Sequence, residues 1–311
     1  MTDEDILFND VYVHFRVPAG SVRAVDGVST RFAARHITGL IGESGCGKSV
    51  LGLSILGLLP PYAHISGDIR LGDHAVTGAK PRALRALRGR EVGLIPQSPG
   101  ESLNPVRRIG SQLEEALSLA EPNRKQRQQR ALSLLRDFGF KDPAHILRAY
   151  PFQLSGGMQQ RVLCAIGVCC APSWVLADEP TKGLDEALCR QVEETLSGLG
   201  DFGVQSMLII THDLHLAASL CDTVAVMYGG QIVEMGSNIL TNPRHPYTRA
   251  FLESLPENGM QPMPGRPPAP GDNLPGCKFA PRCPHASERC KTTPPDIIRH
   301  NNSQVRCFLY A

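Results

Sequence analysis

The chain has 311 residues, 42% of them apolar and 20% charged, which suits one large domain with an appendage or two domains. Its 32 Lys and Arg nearly balance 30 Asp and Glu, and a net charge of +2 gives no argument for a nucleic-acid partner; none is expected. No apolar run reaches the roughly 18 residues that a membrane-spanning helix needs. The longest candidate, residues 162–177, is broken by Pro172, and the acidic start Met1-Thr2-Asp3-Glu4-Asp5 lacks the basic-then-apolar order of a signal peptide.

Residues 6–38 alternate apolar and polar side chains in short runs. Ile6-Leu7-Phe8, Val11-Tyr12-Val13-His14-Phe15 and Val28-Ser29-Thr30-Arg31-Phe32 read as strands, with a turn at Pro18-Ala19-Gly20. Phe15 is placed either to stack on an adenine ring or to fill a sheet core. The apolar strand Ile37-Thr38-Gly39-Leu40-Ile41 then runs into Gly42-Glu43-Ser44-Gly45-Cys46-Gly47-Lys48-Ser49, and a helix begins around Val50. G-x-x-x-x-G-K-S between a strand and a helix is the phosphate-binding P-loop. The glycines let successive N–H groups point at phosphate oxygens, and the helix N-terminus adds its partial positive charge. Lys48 supplies a point charge for the β- and γ-phosphates, and Ser49 a hydroxyl for Mg2+.

Pro60-Pro61 ends that helical run, and residues 66–72 form a strand entered and left through glycine. Residues 81–90 form a basic amphipathic helix, read as a solvated face. Glu91-Val92-Gly93-Leu94-Ile95-Pro96-Gln97 is a buried strand whose terminal amide sits where open α/β sheets bind ligands. Gln97 can offer its carbonyl oxygen to Mg2+ or to an attacking water. Residues 98–105 read as a loop suited to a moving joint, and helical spacing recurs over 111–119 and 126–138, a helical insert in the α/β body.

Leu154-Ser155-Gly156-Gly157-Met158 opens another helix, a second place where phosphate can meet backbone N–H groups. Trp174-Val175-Leu176-Ala177 is an apolar strand ending in Asp178 and Glu179. Asp178 is placed to hold Mg2+ through water and Glu179 to polarise an attacking water. Gly183-Leu184-Asp185 starts the next helix. The strand Met207-Leu208-Ile209-Ile210 ends near His212, a candidate γ-phosphate contact, and a hairpin follows at Gly229-Gly230.

This ordered set resembles the nucleotide-binding subunit of an ABC transporter over about 235 residues. Gly42 to Ser49 is similar to Walker A, with Val50 following it; Gln97 resembles the Q-loop and Leu154 to Met158 the signature. Val175 to Glu179 resembles Walker B, Gly183 to Asp185 the D-loop, His212 the switch histidine, and Phe15, by position, the A-loop aromatic. Two departures are mild: Met158 stands where many members have glutamine, and Thr181-Lys182-Gly183 precedes Leu-Asp in place of a more usual Thr-Ser-Ala. Asn242-Pro243-Arg244-His245-Pro246-Tyr247-Thr248, Ser102-Leu103-Asn104-Pro105 and the run from Gly276 to Pro284 resemble the oligopeptide/dipeptide/nickel branch of importers.

The resemblance implies an α/β P-loop NTPase cassette with an antiparallel β subdomain and a helical subdomain. The cassette is expected over 1–240, with the helical insert at about 98–160, and a small Cys-rich extension over 241–311. It implies ATP hydrolysis, driving uptake of peptide-like or metal-chelate solutes, in a head-to-tail pair of cassettes. There Ser155, Gly156, Gly157, Met158 and Asp185 face the partner's nucleotide. A second, non-identical cassette, two transmembrane permeases and an extracytoplasmic binding protein are the implied partners, and the cytoplasmic face of the membrane the implied location. A non-transport ABC ATPase of DNA repair or translation is the alternative. Against it stand the 105-residue separation of Ser49 and Leu154 without sustained heptads, and the single cassette.

Ten cysteines divide into two sets. Cys46, Cys164, Cys169, Cys170, Cys189 and Cys221 read as buried small hydrophobes. Cys277, Cys283, Cys290 and Cys307, spaced C-x5-C-x6-C-x16-C after a proline-rich linker at 262–275, lie in a region with little other core and need a staple. Disulfides suit the even count but not a nucleotide-rich reducing compartment. Zinc takes four thiolates, usually as closer pairs, and an iron–sulfur cluster takes four with looser spacing. Lys278, Arg282 and Arg289 are expected to favour thiolates. The importer-branch resemblance implies a [4Fe–4S] cluster, with zinc as the alternative.

Overall fold

The computed structural model describes residues 5–18, 20–255, 260–269, 272, 274–300 and 303–311. Met1 to Glu4, Ala19 in the expected turn, and parts of the expected linker lie outside them. Two compact units emerge, one from residues 1–79 with 212–311 and one from residues 80–211.

The first unit opens with β1 (Ile6–Val17) and β2 (Gly20–Phe32), an antiparallel pair. The two runs read as separate strands at 6–8 and 11–15 are one strand with a bulge. Ile6 and Phe8 face the core before it, Val11 and Val13 after it, so the inward parity switches where Asp10 adopts a φ of 51°. Next come β3 (Ile37–Ile41), α1 (Lys48–Ile55), β4 (Ala63–Leu71) and β5 (His74–Ala75). Strands β2, β1, β4 and β5 form an antiparallel sheet in that order.

The second unit runs through α2 (Pro81–Leu87), β6 (Val92–Ile95), α3 (Pro99–Ser102), α4 (Ile109–Leu117) and α5 (Arg124–Asp137). It continues through α6 (Pro143–Arg148), α7 (Gly156–Val168), β7 (Trp174–Asp178), α8 (Glu186–Ser197) and β8 (Ser206–Ile210). Residues 98–105 are not wholly a loop: Pro99 takes the first position of the one-turn α3, where its missing N–H costs nothing. Ile109, Leu113 and Leu117 bury one stripe of α4. α5 starts at Arg124, two residues ahead of the expected start, because Asn123 caps it, accepting from the N–H groups of Lys125 and Gln126. Strands β6, β7 and β8 are parallel, Ile95 beside Ala177 and Asp178 beside Ile210, so their carboxyl ends share an edge.

The chain returns to the first unit with α9 (Leu214–Leu220), β9 (Thr223–Tyr228), β10 (Gln231–Gly236) and α10 (Pro246–Glu253). The last elements are α11 (Glu288–Thr292), β11 (Ile298–His300) and β12 (Ser303–Val305). β3 pairs in parallel with β9, and the β9–β10 hairpin turns at Gly229-Gly230 as expected. The tail has more core than expected. β12 pairs with β10 at Glu234–Val305 and Met235–Gln304, and Phe279, 1% exposed, packs on Tyr228 and Tyr247 at ring-centroid distances of 5.4 and 5.5 Å. Burying one such ring contributes about 1.5–3 kcal/mol, so the cysteines are not what alone holds the tail.

Candidate functional site

In the first unit, β3 delivers the chain into the glycine loop. Gly42, Gly45 and Gly47 have φ of 147°, 79° and 106°, a region costly for any residue with a Cβ. A Cβ on Gly42 would meet the carbonyl oxygen of Met227 at 2.2 Å, and one on Gly47 that of Ala24 at 2.2 Å, whereas Gly45 faces open space. Close packing thus dictates the outer two glycines and backbone angle the middle one. Ser44 and Gly45 are exposed and Cys46 is buried.

Lys48 is 6% exposed, and its Nζ donates to the carbonyls of Gly42 at 2.7 Å and Glu43 at 3.1 Å, curling the loop around the ammonium. Ser49 and Val50, half-buried, begin the helix with it. The Glu43 N–H donates to the Tyr247 hydroxyl at 3.0 Å, so this amide, expected to serve phosphate, has a protein partner. Burial pushes the Cys46 thiol up despite the nearby Lys48. Phe15 is half-buried at 5.9 Å from the ring of Tyr62, which is 58% exposed. Tyr62 follows Pro60-Pro61, which signals only the end of a helical run, so the sequence does not single it out. His212 is exposed and precedes Asp213, the cap of α9.

In the second unit, Gln97 follows β6 and is half-buried. Asp178 ends β7, and Asp178 and Glu179 are 7% and 8% exposed, so the pair is not a solvated loop start. Glu179 has a φ of 49°, and its N–H donates to the Ile210 carbonyl at 2.7 Å. A non-glycine residue held there stores local strain, a common mark of functional positions. Gln97 and the two acids leave the same edge of the parallel strands, the ligand-binding edge of such sheets.

Ser155 caps α7, its Oγ accepting from the Met158 N–H at 3.4 Å. Ser155 and Gly156 are exposed, Gly157 and Met158 half-buried. A Cβ on Gly156 would meet nothing, whereas one on Gly157 would lie 2.8 Å from Leu188 of α8. Asp185, exposed, caps α8 through the Leu188 N–H at 2.9 Å.

In the first unit again, Cys277, Cys283, Cys290 and Cys307 all line one cavity of about 130 Å3, with His245, His285 and Phe308 on its walls. The Cys277 N–H donates to the Cys290 carbonyl at 2.8 Å. Among the described residues, no three or more His, Cys, Asp or Glu are arranged to hold a metal ion. Zinc needs four sulfurs within about 2.3 Å of one point, whereas a multi-iron cluster takes thiolates spread around a larger space. What the structure shows is that the four thiols share the wall of one cavity. The expected cationic field is corrected. Lys278 pairs with Asp26 at 2.9 Å, Arg282 with Glu43 at 3.0 Å, and Arg289 lies 4.1 Å over the Phe308 ring. Burial instead pushes Cys277 up to about 11, and raises Cys283 and Cys307. Of the other six cysteines, Cys46, Cys164 and Cys169 are buried as expected, while Cys170, Cys189 and Cys221 are only partly so.

Residues 25–182 match the ABC transporter family, and residues 233–290 the oligopeptide/dipeptide transporter C-terminal region. The oligopeptide transport ATP-binding protein AppD of Bacillus subtilis (strain 168) is 39% identical over 97% of this chain and 95% of its own. The dipeptide transport ATP-binding protein DppD of Escherichia coli (strain K12) is 40% identical over 95% of this chain and 93% of its own. Among solved structures, the dimeric bacterial ABC transporter cassette MJ0796 superposes with a TM-score of 0.66 at 22% identity, covering 77% of this chain and 99% of that one. That likeness carries the cassette fold.

Proposed function

The chain belongs to the ABC transporter family and carries its oligopeptide/dipeptide C-terminal region, and from that premise we propose how it works as an ATP-hydrolysing importer subunit. The observation that carries the reading is the glycine loop closed around the Lys48 ammonium, on a chain whose similarity to peptide-transport ATP-binding proteins is nearly full-length.

On this reading residues 1–240 are the cassette and 241–311 the importer-type extension. The loop from Gly42 through Glu43, Ser44, Gly45, Cys46, Gly47, Lys48 and Ser49 to Val50 binds the phosphates, and Phe15 stacks on adenine. Ser49, Gln97 and Asp178 are the residues that would hold Mg2+, which neutralises phosphate charge when bound. Glu179 accepts a proton from the attacking water as the water's oxygen bonds the γ-phosphorus and ADP leaves. His212 steadies the γ-phosphate and Gln97 orients the water. Lys48 spreads charge off the transferring group. Ser155, Gly156, Gly157, Met158 and Asp185 reach the nucleotide of a second cassette, so turnover needs the pair.

The pair works two transmembrane permeases from the cytoplasmic face of the membrane, and an extracytoplasmic binding protein supplies peptide-like or metal-chelate solute. Among the described residues no helix is long and apolar enough to cross a membrane. Cys277, Cys283, Cys290 and Cys307 would hold a [4Fe–4S] cluster, which supplies a structural crosslink when bound. The test is ATP hydrolysis by the purified complex in proteoliposomes. Binding protein loaded with a di- or oligopeptide should raise it, and indifference to every peptide would remove peptides as cargo.

A further inference from the structure

Arg282 lies in the tail, 239 residues from Glu43, yet it grips the glycine loop. Its Nη1 donates to Glu43 Oε2 at 3.0 Å and its Nη2 to Oε1 at 3.2 Å, a two-pronged contact. It donates twice more, from Nε to the Pro264 carbonyl at 2.9 Å and from Nη1 to the Tyr228 hydroxyl at 3.3 Å. The Arg282 side chain is 4% exposed and that of Glu43 24%. This is a built fork with one occupant, not a surface ion pair.

We propose that Arg282 is a positioning residue for nucleotide binding, holding the Glu43 carboxylate away from the phosphate cradle and cancelling its charge. Glu43 is the second residue of the loop, and it is the loop's one acid. A carboxylate there, unmatched, would repel the polyphosphate that the exposed Ser44 and Gly45 amides and the Lys48 ammonium are arranged to receive. The fork answers both parts of that problem. Its charge offsets the carboxylate, and its rigid plane fixes which way Glu43 points. Tyr247 takes the Glu43 N–H at 3.0 Å, and Lys278, four residues before Arg282, pairs with Asp26 at 2.9 Å. Three tail residues thus anchor the nucleotide side of the first unit, and the tail becomes part of the nucleotide site.

This inference rests on the loop being the phosphate cradle, and the experiment separates the two. ATP affinity is measured by equilibrium fluorescence titration of the full chain, with folding checked by circular dichroism. Lys48→Ala should abolish measurable binding, and if it does not, the cradle reading itself fails. Arg282→Ala should raise the Kd for ATP by about tenfold, the size expected of one unmatched charge beside a polyanion. Adding Glu43→Gln to Arg282→Ala should bring the Kd back to within about threefold of wild type, because the offending charge is gone. A tail residue that only helps folding would gain nothing from that second change. Arg282→Lys keeps the charge but not the fork, and should fall between, at about threefold; it also serves if Arg282→Ala does not fold. An Arg282→Ala or Arg282→Lys protein that binds ATP as wild type does, or a loss that Glu43→Gln does not recover, overturns the proposal.

Discussion

The hydroxyl of Tyr247 accepts the backbone N–H of Glu43 at 3.0 Å, across 204 residues of sequence. Tyr247 is fully buried at the start of α10, and its ring packs 4.4 Å from that of Tyr228 at the end of β9. A helix of the importer-type segment therefore supports the first turn of the glycine loop. Tyr247→Phe keeps the ring and removes the bond, stranding a backbone donor. The expected cost is about 1–3 kcal/mol, read as a lower urea midpoint with an unchanged slope. An unchanged midpoint would mean that the amide finds another partner.

The signature serves another molecule's nucleotide on our reading. Ser155 and Gly156 are exposed, so Ser155→Arg adds bulk outward without disturbing a core. The variant should bind ATP with wild-type affinity as an isolated chain, yet turnover of the assembled complex should fall by about a hundredfold or more. Weakened binding in the isolated chain would mean that Ser155 touches its own nucleotide.

His245 gives the fold an acid-sensitive point. It is buried, its Nδ1 accepts the Tyr247 N–H at 3.0 Å, and burial holds its pKa at about 3. The unfolded chain, with an ordinary histidine near 6.5, binds the proton across a range where the folded chain does not. Stability from this group is therefore complete above about pH 6.5 and is lost as pH falls toward 3, at up to about 1.4 kcal/mol per pH unit. Glu234, raised by burial, works in the opposite direction, from about pH 4.5 upward within the same range. Urea midpoints compared between pH 7.5 and 5.5 should drop in wild type and drop much less in His245→Asn, which removes the titrating ring. Equal drops in both would place the acid sensitivity elsewhere.

Much of this was legible before any coordinates, and the reasons are physical. The glycine loop announces itself because positive-φ glycines and a lysine at set spacing are hard to meet by chance. Asp178 and Glu179 were readable because an apolar run ending in acids has few outcomes. What escaped depended on contacts distant in sequence. Arg282 looked like one of several charges near the cysteines, and only the fold brings it to Glu43. The tail read as coreless because β12, three residues long, gains its stability from β10 and not from its own pattern. The bulge at Asp10 hid the continuity of β1, since a parity switch looks like a break.

On the proposed cluster reading, the four cysteines predict a colour. Protein purified without oxygen should be brown and carry about four irons per chain, and replacing any of Cys277, Cys283, Cys290 or Cys307 with serine should remove them. Because burial raises three of these thiols, loading should release protons and improve with rising pH. Colourless protein with one zinc per chain would replace the cluster with a zinc staple.

Hydrolysis by a cassette pair is read in phosphate release from Mg·ATP by the purified transporter complex. With Glu179→Gln in this chain and the equivalent change in its partner cassette, ATP should stay bound and release should fall at least about a hundredfold. Wild-type turnover by that doubly altered complex would take Glu179 out of the chemistry and contradict the account.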